Sequence, residues 1–454
     1  EMSQSQTTSQ ENALATAPIG KLLFSLAVPA ITAQVVNMLY NLVDRIYIGH
    51  IPEIGTAALT GVGITFPIIT LISAFSSLIA MGGAPRASIA MGAHHKERAE
   101  EIMGNCFTAL LALSVALTAV FQIFQEPILW AFGASENTIG YAMDYMGIYV
   151  WGTVFVQISL GMNMFITSQG FAKTSMLTVI IGAALNILLD PVFIFVFGMG
   201  VRGAAVATVI AQGISVGLCV LYVLAKVRIL IPEKKHFAVG SHLYWELFSQ
   251  SISMGLMSSI VSAGSVVLQY GINGLGTLTI AGHTAARKLF AFTDMPLISM
   301  ANAGSTFVSQ NRGANQPDRV RRGMRQMYLY SVVVMVAAVV LMNFGAQWMV
   351  QLISGSSESI VLENGARYLI WNAPFYAVLG VLLCTRYALQ SLGQKVLPLF
   401  SSVIELVGKV IFVLVFIPKF QYNAVILCEP IIWCFMAAYL VAVYLHEPFV
   451  FPKK

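Results

Sequence analysis

Charge is scarce in this sequence: only 10% of its 454 residues are Asp, Glu, Lys or Arg, against 57% hydrophobic ones. Scarcity at that level excludes a soluble globular domain, because a core of this length cannot hide so much apolar surface. Cysteine is rare as well. Cys106, Cys219, Cys384, Cys428 and Cys434 all fall in apolar runs and form no CxxC pair. They read as small buried hydrophobes, not as a disulfide framework or a metal site. A metal-ligand cluster, a phosphate-cradling Gly loop and a nucleophile elbow are missing too, and His94-His95 reads as solvated loop. Catalysis of the soluble type thereby loses its usual signatures. The opening EMSQSQTTSQENALATA has no basic region ahead of a short apolar core and cleavage site. Residues 1-17 are expected to be a cytoplasmic tail, not a signal peptide.

What the sequence does have is long apolar runs. A helix needs about 20 apolar residues to cross the hydrocarbon layer, and runs of that size predict twelve spans: 22-49, 55-82, 99-124, 138-166, 172-198, 202-226, 244-271, 277-306, 324-345, 360-389, 396-417 and 421-446. A β-barrel is excluded, since its strands would be about ten residues long with alternating polarity. The fold class is all-α integral membrane. Loop charge then gives orientation. The loops after even-numbered spans carry Arg86, Lys96, Arg98, Lys173, Lys226, Arg228, Lys234, Lys235, Arg312, Arg319, Arg321, Arg322, Arg325 and Lys395. The opposite loops carry mainly Arg202 and Lys419, with Glu53, Glu126, Glu136 and Glu358. This asymmetry predicts a cell-membrane protein with both termini in the cytoplasm. The net charge of +5 is thus orientation and not nucleic-acid binding, and RVRRGMRQ (319-326) is a topogenic signal near anionic lipid.

The chain is also internally repeated. LTGVGITFPI and MGGAPRASIAMGAHHKERAEEIM are answered by IAGHTAARKLF and ANAGSTFVSQNRGANQPDRVRRGM. Gly61 falls on Gly282, Ser88 on Ser309, and Gly92-Ala93 on Gly313-Ala314, all at an offset of 221. SQGFAKTSML answers SLGQKVLPLF at an offset of 223. The repeat predicts two six-helix lobes in the same orientation: an N-lobe at 18-226, a cytoplasmic linker at 227-243, a C-lobe at 244-446, and a tail at 447-454. Parallel repeats of this kind describe a transporter whose lobes enclose a cavity and rock against each other.

Two acids in the first half stand out. In helix 1, Gln34, Asn37, Tyr40, Asn41 and Asp44 share one stripe about 120° wide at 100° per residue. Lipid would not tolerate that stripe, so it must face a lobe interior or a wet cavity. Asn186 and Asp190 of helix 5 are one turn apart and share a face. Asp44 lies about five and Asp190 about eight residues from the outer helix ends, at similar depth, and Thr208 of helix 6 lies about six residues in. Two carboxylates brought together with amide, phenol and hydroxyl groups would either share a proton or hold Na⁺ through oxygen ligands. Alternatives remain for each acid. Asp44 adjoins Arg45, although neighbours on a helix point about 100° apart, and Asp190-Pro191 can mark a simple helix kink.

The order and spacing of LYNLVDRIYIGH in helix 1, Gly-Ala after helices 2 and 8, and LNILLDPVFIF in helix 5 resemble the multidrug and toxic compound extrusion (MATE) family of the MOP flippase superfamily. The resemblance covers essentially the whole chain beyond the tail. It implies cation-coupled export of organic, often cationic, amphiphilic compounds by alternating access between two lobes. Family members of the N-lobe type use a cation site whose residues match Tyr40, Asp44, Asn186, Asp190 and Thr208, and also Asn163 and Tyr145; the stripe residue Asn37 is a further N-lobe candidate.

The second half does not copy this site. Gln269 stands near the place of Asp44, and Lys409 near that of Asn186; Arg287, Lys288, Asp294, Glu405 and Glu429 are the other charges within its spans. Glu405 and Lys409, one turn apart, suit an ion pair, and Glu429-Pro430 resembles a motif of one branch of the family. Other branches keep a cation site in the C-lobe, so this cluster rivals Asp44-Asp190. The expected function is an H⁺- or Na⁺-coupled antiporter, a monomer without cofactor whose partners are small organic substrates and membrane lipid. A lipid or lipid-linked sugar flippase of the same superfamily, an exporter of a single metabolite and an integral membrane enzyme are the other readings. A flippase would need a more cationic cavity than Arg287, Lys288, Arg386 and Lys409 supply, and an enzyme would need a dyad or metal site.

Overall fold

The computed structural model describes residues 18–226 and 241–453, and every regular element among them is helical. In chain order these are α1 (Ile19–Gly49), α2 (Gly55–Gly92), α3 (Lys96–Ala131), α4 (Ile139–Trp151), α5 (Thr153–Ser168), α6 (Ala172–Pro191), α7 (Val201–Lys226) and α8 (Ser241–Asn273). They continue with α9 (Thr277–Thr293), α10 (Met295–Gly313), α11 (Pro317–Ser354), α12 (Ser359–Asn372), α13 (Tyr376–Ser391), α14 (Leu397–Ile411) and α15 (Tyr422–Leu445). All twelve predicted spans are helical. Among the described residues ten continuous helical runs are long and apolar enough to cross a membrane, one of them Ser359–Ser391, which joins α12 and α13, and the bent pair α4 and α5 makes an eleventh. The remaining span is broken at Asp294 into α9, which is only 17 residues long, and α10, whose Asn302, Gln310, Asn311 and Arg312 keep it from being strongly apolar. The predicted tail 1-17 and most of the 227-243 linker lie outside the described residues.

The helix breaks have local chemical causes and recur between the halves. Gly152 separates α4 from α5, which meet at 57°. A Cβ at Gly152 would sit 2.8 Å from Val209 Cγ2, so glycine lets α7 close on the bend. In the second half a 3-10 turn at Ala373–Phe375, built on Pro374, separates α12 from α13, 221 residues after Gly152. The end of α6 passes through Pro191 into a π turn at Val192–Val196. A second π turn follows α14 at Phe412–Phe416, ahead of Pro418, at an offset of 220. Proline removes an amide donor and disfavours regular helix before it, and π turns are a common form of the resulting irregularity.

Two compact units result. Val28–Ser251 form one, and Ile252 onward, together with α1 as far as Ala27, form the other. Helix α1 therefore changes unit one residue before Pro29. In the second unit its first turns pack on α11, where the Phe24 ring meets Tyr330 edge-on at 5.5 Å. In the first unit Leu247 of α8 joins a core of Ala87, Ala99, Cys106, Leu110 and Phe165. Small residues permit close helix approach where no hydrophobic force favours one apolar neighbour over lipid. Cys106, Cys384 and Cys428 are buried as expected, whereas Cys434 is exposed on α15; an exposed flank of an apolar span accepts a thiol as readily as a core does.

Glycine packing supplies a direct check. A Cβ at Gly380 would run into the Ser331 side chain and lie 3.0 Å from Leu297 Cδ2, while one at Gly140 would meet nothing within 4 Å. Gly380→Val should cost about 1–3 kcal/mol through overpacking, read as a lower melting temperature in detergent. Gly140→Ala should leave the melting temperature unchanged or slightly higher. Equal effects at the two positions would contradict the packing described.

Candidate functional site

The polar stripe of α1 meets α6 and α7 in the first unit. Asp44, Asn186, Asp190, Thr208 and Tyr145 are buried, and Tyr40 is half-buried. With the Asn186 amide turned so that its nitrogen faces the acid, that nitrogen donates to both Asp190 carboxyl oxygens, at 2.9 and 3.1 Å. Its carbonyl lies 3.3 Å from the Tyr40 hydroxyl and 3.2 Å from Thr208 Oγ1, and the Thr208 hydroxyl also reaches the Ala204 carbonyl at 2.9 Å. The phenols of Tyr40 and Tyr145 lie beside Thr208. Behind them the Asp44 and Asp190 carboxyls lie within hydrogen-bonding reach of each other, and among the described residues Asp44 Oδ1 has no further partner.

Chemically this is a carboxyl pair in a cage of neutral hydrogen-bonding groups. An ionised carboxylate only accepts hydrogen bonds, so two neighbouring carboxyls can bond to each other only when a proton is held between them. The same oxygens, with the Tyr40, Tyr145 and Thr208 hydroxyls, have the hard-donor character that suits an alkali cation. The spacing of the sequence motifs is realised here: α1 contributes Tyr40 and Asp44, α6 contributes Asn186 and Asp190, α7 contributes Thr208 and α4 contributes Tyr145.

Asn37 and Asn163 stand one step away. Both line a cavity of about 550 Å³ within the same unit, whose wall includes Tyr40 and Asn186. Asn163 accepts from Thr178 at 3.2 Å and makes no bond to the acids. Sequence reasoning missed other cavity residues, among them Thr70, Ser73, Ser159 and Gln212. Their signal was present: Thr70 with Ser73, Ser159 with Asn163, and Gln212 with Ser215 recur three or four apart within apolar spans, a polar helix face. Arg45 also lines the cavity, and its guanidinium stacks 4.5 Å from the centre of the Phe66 ring. It is the only charged lining residue among the described ones.

The second unit holds a different constellation. Arg287 Nη1 donates to Glu429 Oε2 at 2.8 Å and to the Tyr368 hydroxyl at 3.0 Å, and Tyr368 donates to the same Glu429 oxygen at 3.1 Å. Lys409 donates to Glu405 at 3.0 Å and lies 3.8 Å from the other Glu429 oxygen. The expected Glu405-Lys409 pair is thus part of a row of alternating charges, Glu405, Lys409, Glu429 and Arg287, drawn from α14, α15 and α9. Asp294, at the break between α9 and α10, lies within electrostatic range of Arg287 and Glu429. Gln269 is not brought to this row; it donates to Asn273 at 2.7 Å on an exposed face of α8. Tyr368 and His283, which meet ring to ring at 5.0 Å, were not anticipated. No group of three or more His, Cys, Asp or Glu side chains able to hold a metal occurs among the described residues.

The MatE family model matches residues 29–192 and 254–415. Similar proteins include an FAD transporter of Shewanella oneidensis, 24% identical over 88% of each chain. A probable multidrug resistance protein, YoeA, of Bacillus subtilis is 24% identical over 94% of this chain and 93% of its own. The multidrug export protein MepA of Staphylococcus haemolyticus is 22% identical over 76% of each chain. Among solved structures, an outward-facing multidrug resistance MATE family transporter of the MOP superfamily superposes with a TM-score of 0.86 at 20% identity, covering 97% of this chain and 98% of that one. A MOP superfamily transporter from Pyrococcus furiosus gives 0.84 at 19% identity, covering 96% and 98%.

The charge row of the second unit can be tested for energy. Removing one partner of a buried ion pair typically costs 3–5 kcal/mol, because the other charge stays uncompensated. Glu429→Gln should therefore lower the melting temperature strongly, and Arg287→Gln added to it should recover part of the loss. Additive losses in that double-mutant cycle would show that the two residues are not coupled.

Proposed function

The chain belongs to the MatE family, whose members are transporters rather than enzymes, and on that premise we propose that it is a cation-coupled antiporter exporting small organic, amphiphilic compounds. In this reading H⁺ or Na⁺ enters from outside and loads the Asp44-Asp190 pair. The protein acts as a monomer in the cell membrane, without a cofactor, and both termini face the cytoplasm. The observation that carries the proposal is structural sharing: Tyr40 and Asn186 are at once partners in the carboxyl cluster and wall of the adjoining cavity. A change of charge on the acids must then be felt by whatever the cavity holds.

The magnitudes suffice. Two carboxylates about 4 Å apart repel by ~4 kcal/mol at an effective dielectric of about 20, and a proton or Na⁺ removes that repulsion. A bias of that size shifts a two-state equilibrium by roughly three orders of magnitude. With the cation bound, Asp44 and Asp190 draw α1 and α6 together; without it, the acids separate and pull Asn186 and Tyr40 from their present positions. Antiport requires only that cation and substrate favour different states. The close approach of the two carboxyls supports a proton as the ligand, and the hydroxyl-rich cage supports Na⁺ as its rival.

A second reading, export of one dedicated metabolite, draws support from two observations. One relative is named as an FAD transporter, and among the described residues the only charged side chain lining the cavity is the cationic Arg45, which would favour an acidic compound over a lipophilic cation.

The test is dye efflux from vesicles holding the purified protein, under an imposed pH or Na⁺ gradient. Wild type should export the dye with one of the two gradients, and Asp44→Asn should insert normally but export none. Wild-type efflux by Asp44→Asn would overturn the coupling assignment, and gradient-independent movement of lipid would favour a flippase instead.

A further inference from the structure

A groove of about 670 Å³ runs between α14 and α15, and no residue of either charged cluster lines it. Of its lining side chains only Asn423 is polar, and Val407, Ile411, Phe420, Leu427 and Phe435 are exposed in it. Its shape follows from the local sequence. The two helices touch where Gly408 faces Ile432, since a Cβ at Gly408 would lie 2.7 Å from Ile432 Cγ1. Above that contact the π turn at Phe412–Phe416 displaces the chain, and the rings of Phe412, Phe416 and Phe420 follow one another at 4.9 and 6.5 Å along it.

One end of the groove is polar and positively charged. Asn423 accepts a hydrogen bond from Arg367 of α12. The preceding turn, Ile417–Phe420, exposes Lys419 and reverses through Gln421, a non-glycine residue held at φ 56°. Lys419 and Arg202 are the main basic residues of the loops that otherwise lack them. Arg202 is paired with Asp144 at 3.1 Å, whereas Lys419 has no ion pair among the described residues. From Asn423 to Phe435 the groove follows about 18 Å of helix at ~1.5 Å per residue, slightly more than the ~15 Å hydrocarbon depth of one leaflet.

We propose that this groove is a resident phospholipid site, in which one acyl chain lies between α14 and α15 and the phosphate rests on Arg367 and Lys419. Hydrocarbon does not drive an acyl chain into an apolar groove from bulk lipid, because both surroundings are equally apolar. Selectivity must come from the phosphate, which two cations at headgroup level attract. The groove then sets which chain-bearing anion fits, and the rim sets the preference for it.

The test uses the full-length protein in lipid nanodiscs with two photoactivatable probes of identical acyl chains, phosphatidylglycerol and the headgroup-free diacylglycerol, and maps the labelled peptides by mass spectrometry. Phosphatidylglycerol should label residues 403-435 in preference to diacylglycerol by on the order of tenfold, the scale expected of two basic side chains beside a lipid phosphate. Lys419→Gln, at an exposed position, should reduce that preference, and Lys419→Gln with Arg367→Gln should abolish it. Leu427→Trp should exclude both probes from the groove while the protein elutes as wild type. Even labelling across all apolar spans, equal labelling by the two probes, or labelling unchanged in Leu427→Trp would each overturn the proposal.

Discussion

In hydrocarbon a polar side chain has no water to fall back on, so every charge inside a span must find its partner within the protein or line a wet space. The arrangement of this chain follows from how its two halves meet that demand. The second unit closes four of its charges on themselves: Lys409 and Arg287 neutralise Glu405 and Glu429, and Tyr368 bonds both Arg287 and Glu429. The first unit does not. Asp44 and Asp190 are bonded by no cation: an amide and hydroxyls surround them, Arg45 acts on Asp44 only at electrostatic range, and one Asp44 oxygen lacks a partner among the described residues. Two acids with a single cation, Arg45, in electrostatic range of Asp44 leave a negative charge that a mobile cation can complete, and that is the physical case for coupling through α1 and α6.

The repeated architecture makes this asymmetry informative. Bends at Gly152 and at Ala373–Phe375, and π turns at Val192–Val196 and Phe412–Phe416, recur at nearly the same offset as the sequence motifs. The halves therefore share a backbone plan and differ in what hangs from it. The bulge after α6 follows the Asn186-Asp190 turn of the carboxyl cluster, and its counterpart after α14 follows Lys409 and opens the apolar groove.

Much of this was legible in the sequence because hydrocarbon enforces strong patterns. Twelve spans and their repeat follow from run length and from identities at fixed offsets. The stripe ending in Asp44 and the Asn186-Asp190 turn could be placed at matching depth because helix rise is constant. What was not legible needed tertiary information. Depth alone cannot show that Gln269 turns to Asn273 instead of joining the second cluster. Nor can it show that Tyr368 stands between Arg287 and Glu429, since that partner comes from a helix distant in sequence. Arg45 was weighed only as a partner for Asp44, whereas its guanidinium lies over Phe66 on the cavity; adjacency in sequence concealed a separate role.

The central claim is that the carboxyl pair and the cavity are one coupled device through Tyr40 and Asn186. Linkage makes such coupling reciprocal, typically by 5- to 150-fold in affinity. The measurement that bears on it most directly is the affinity of the purified protein for an exported dye, titrated against pH and against Na⁺. The account predicts that wild type loses affinity by about tenfold or more as pH falls or as Na⁺ rises, and that Asp44→Asn shows no such dependence. Dye affinity that stays flat in both titrations while transport is retained would contradict it.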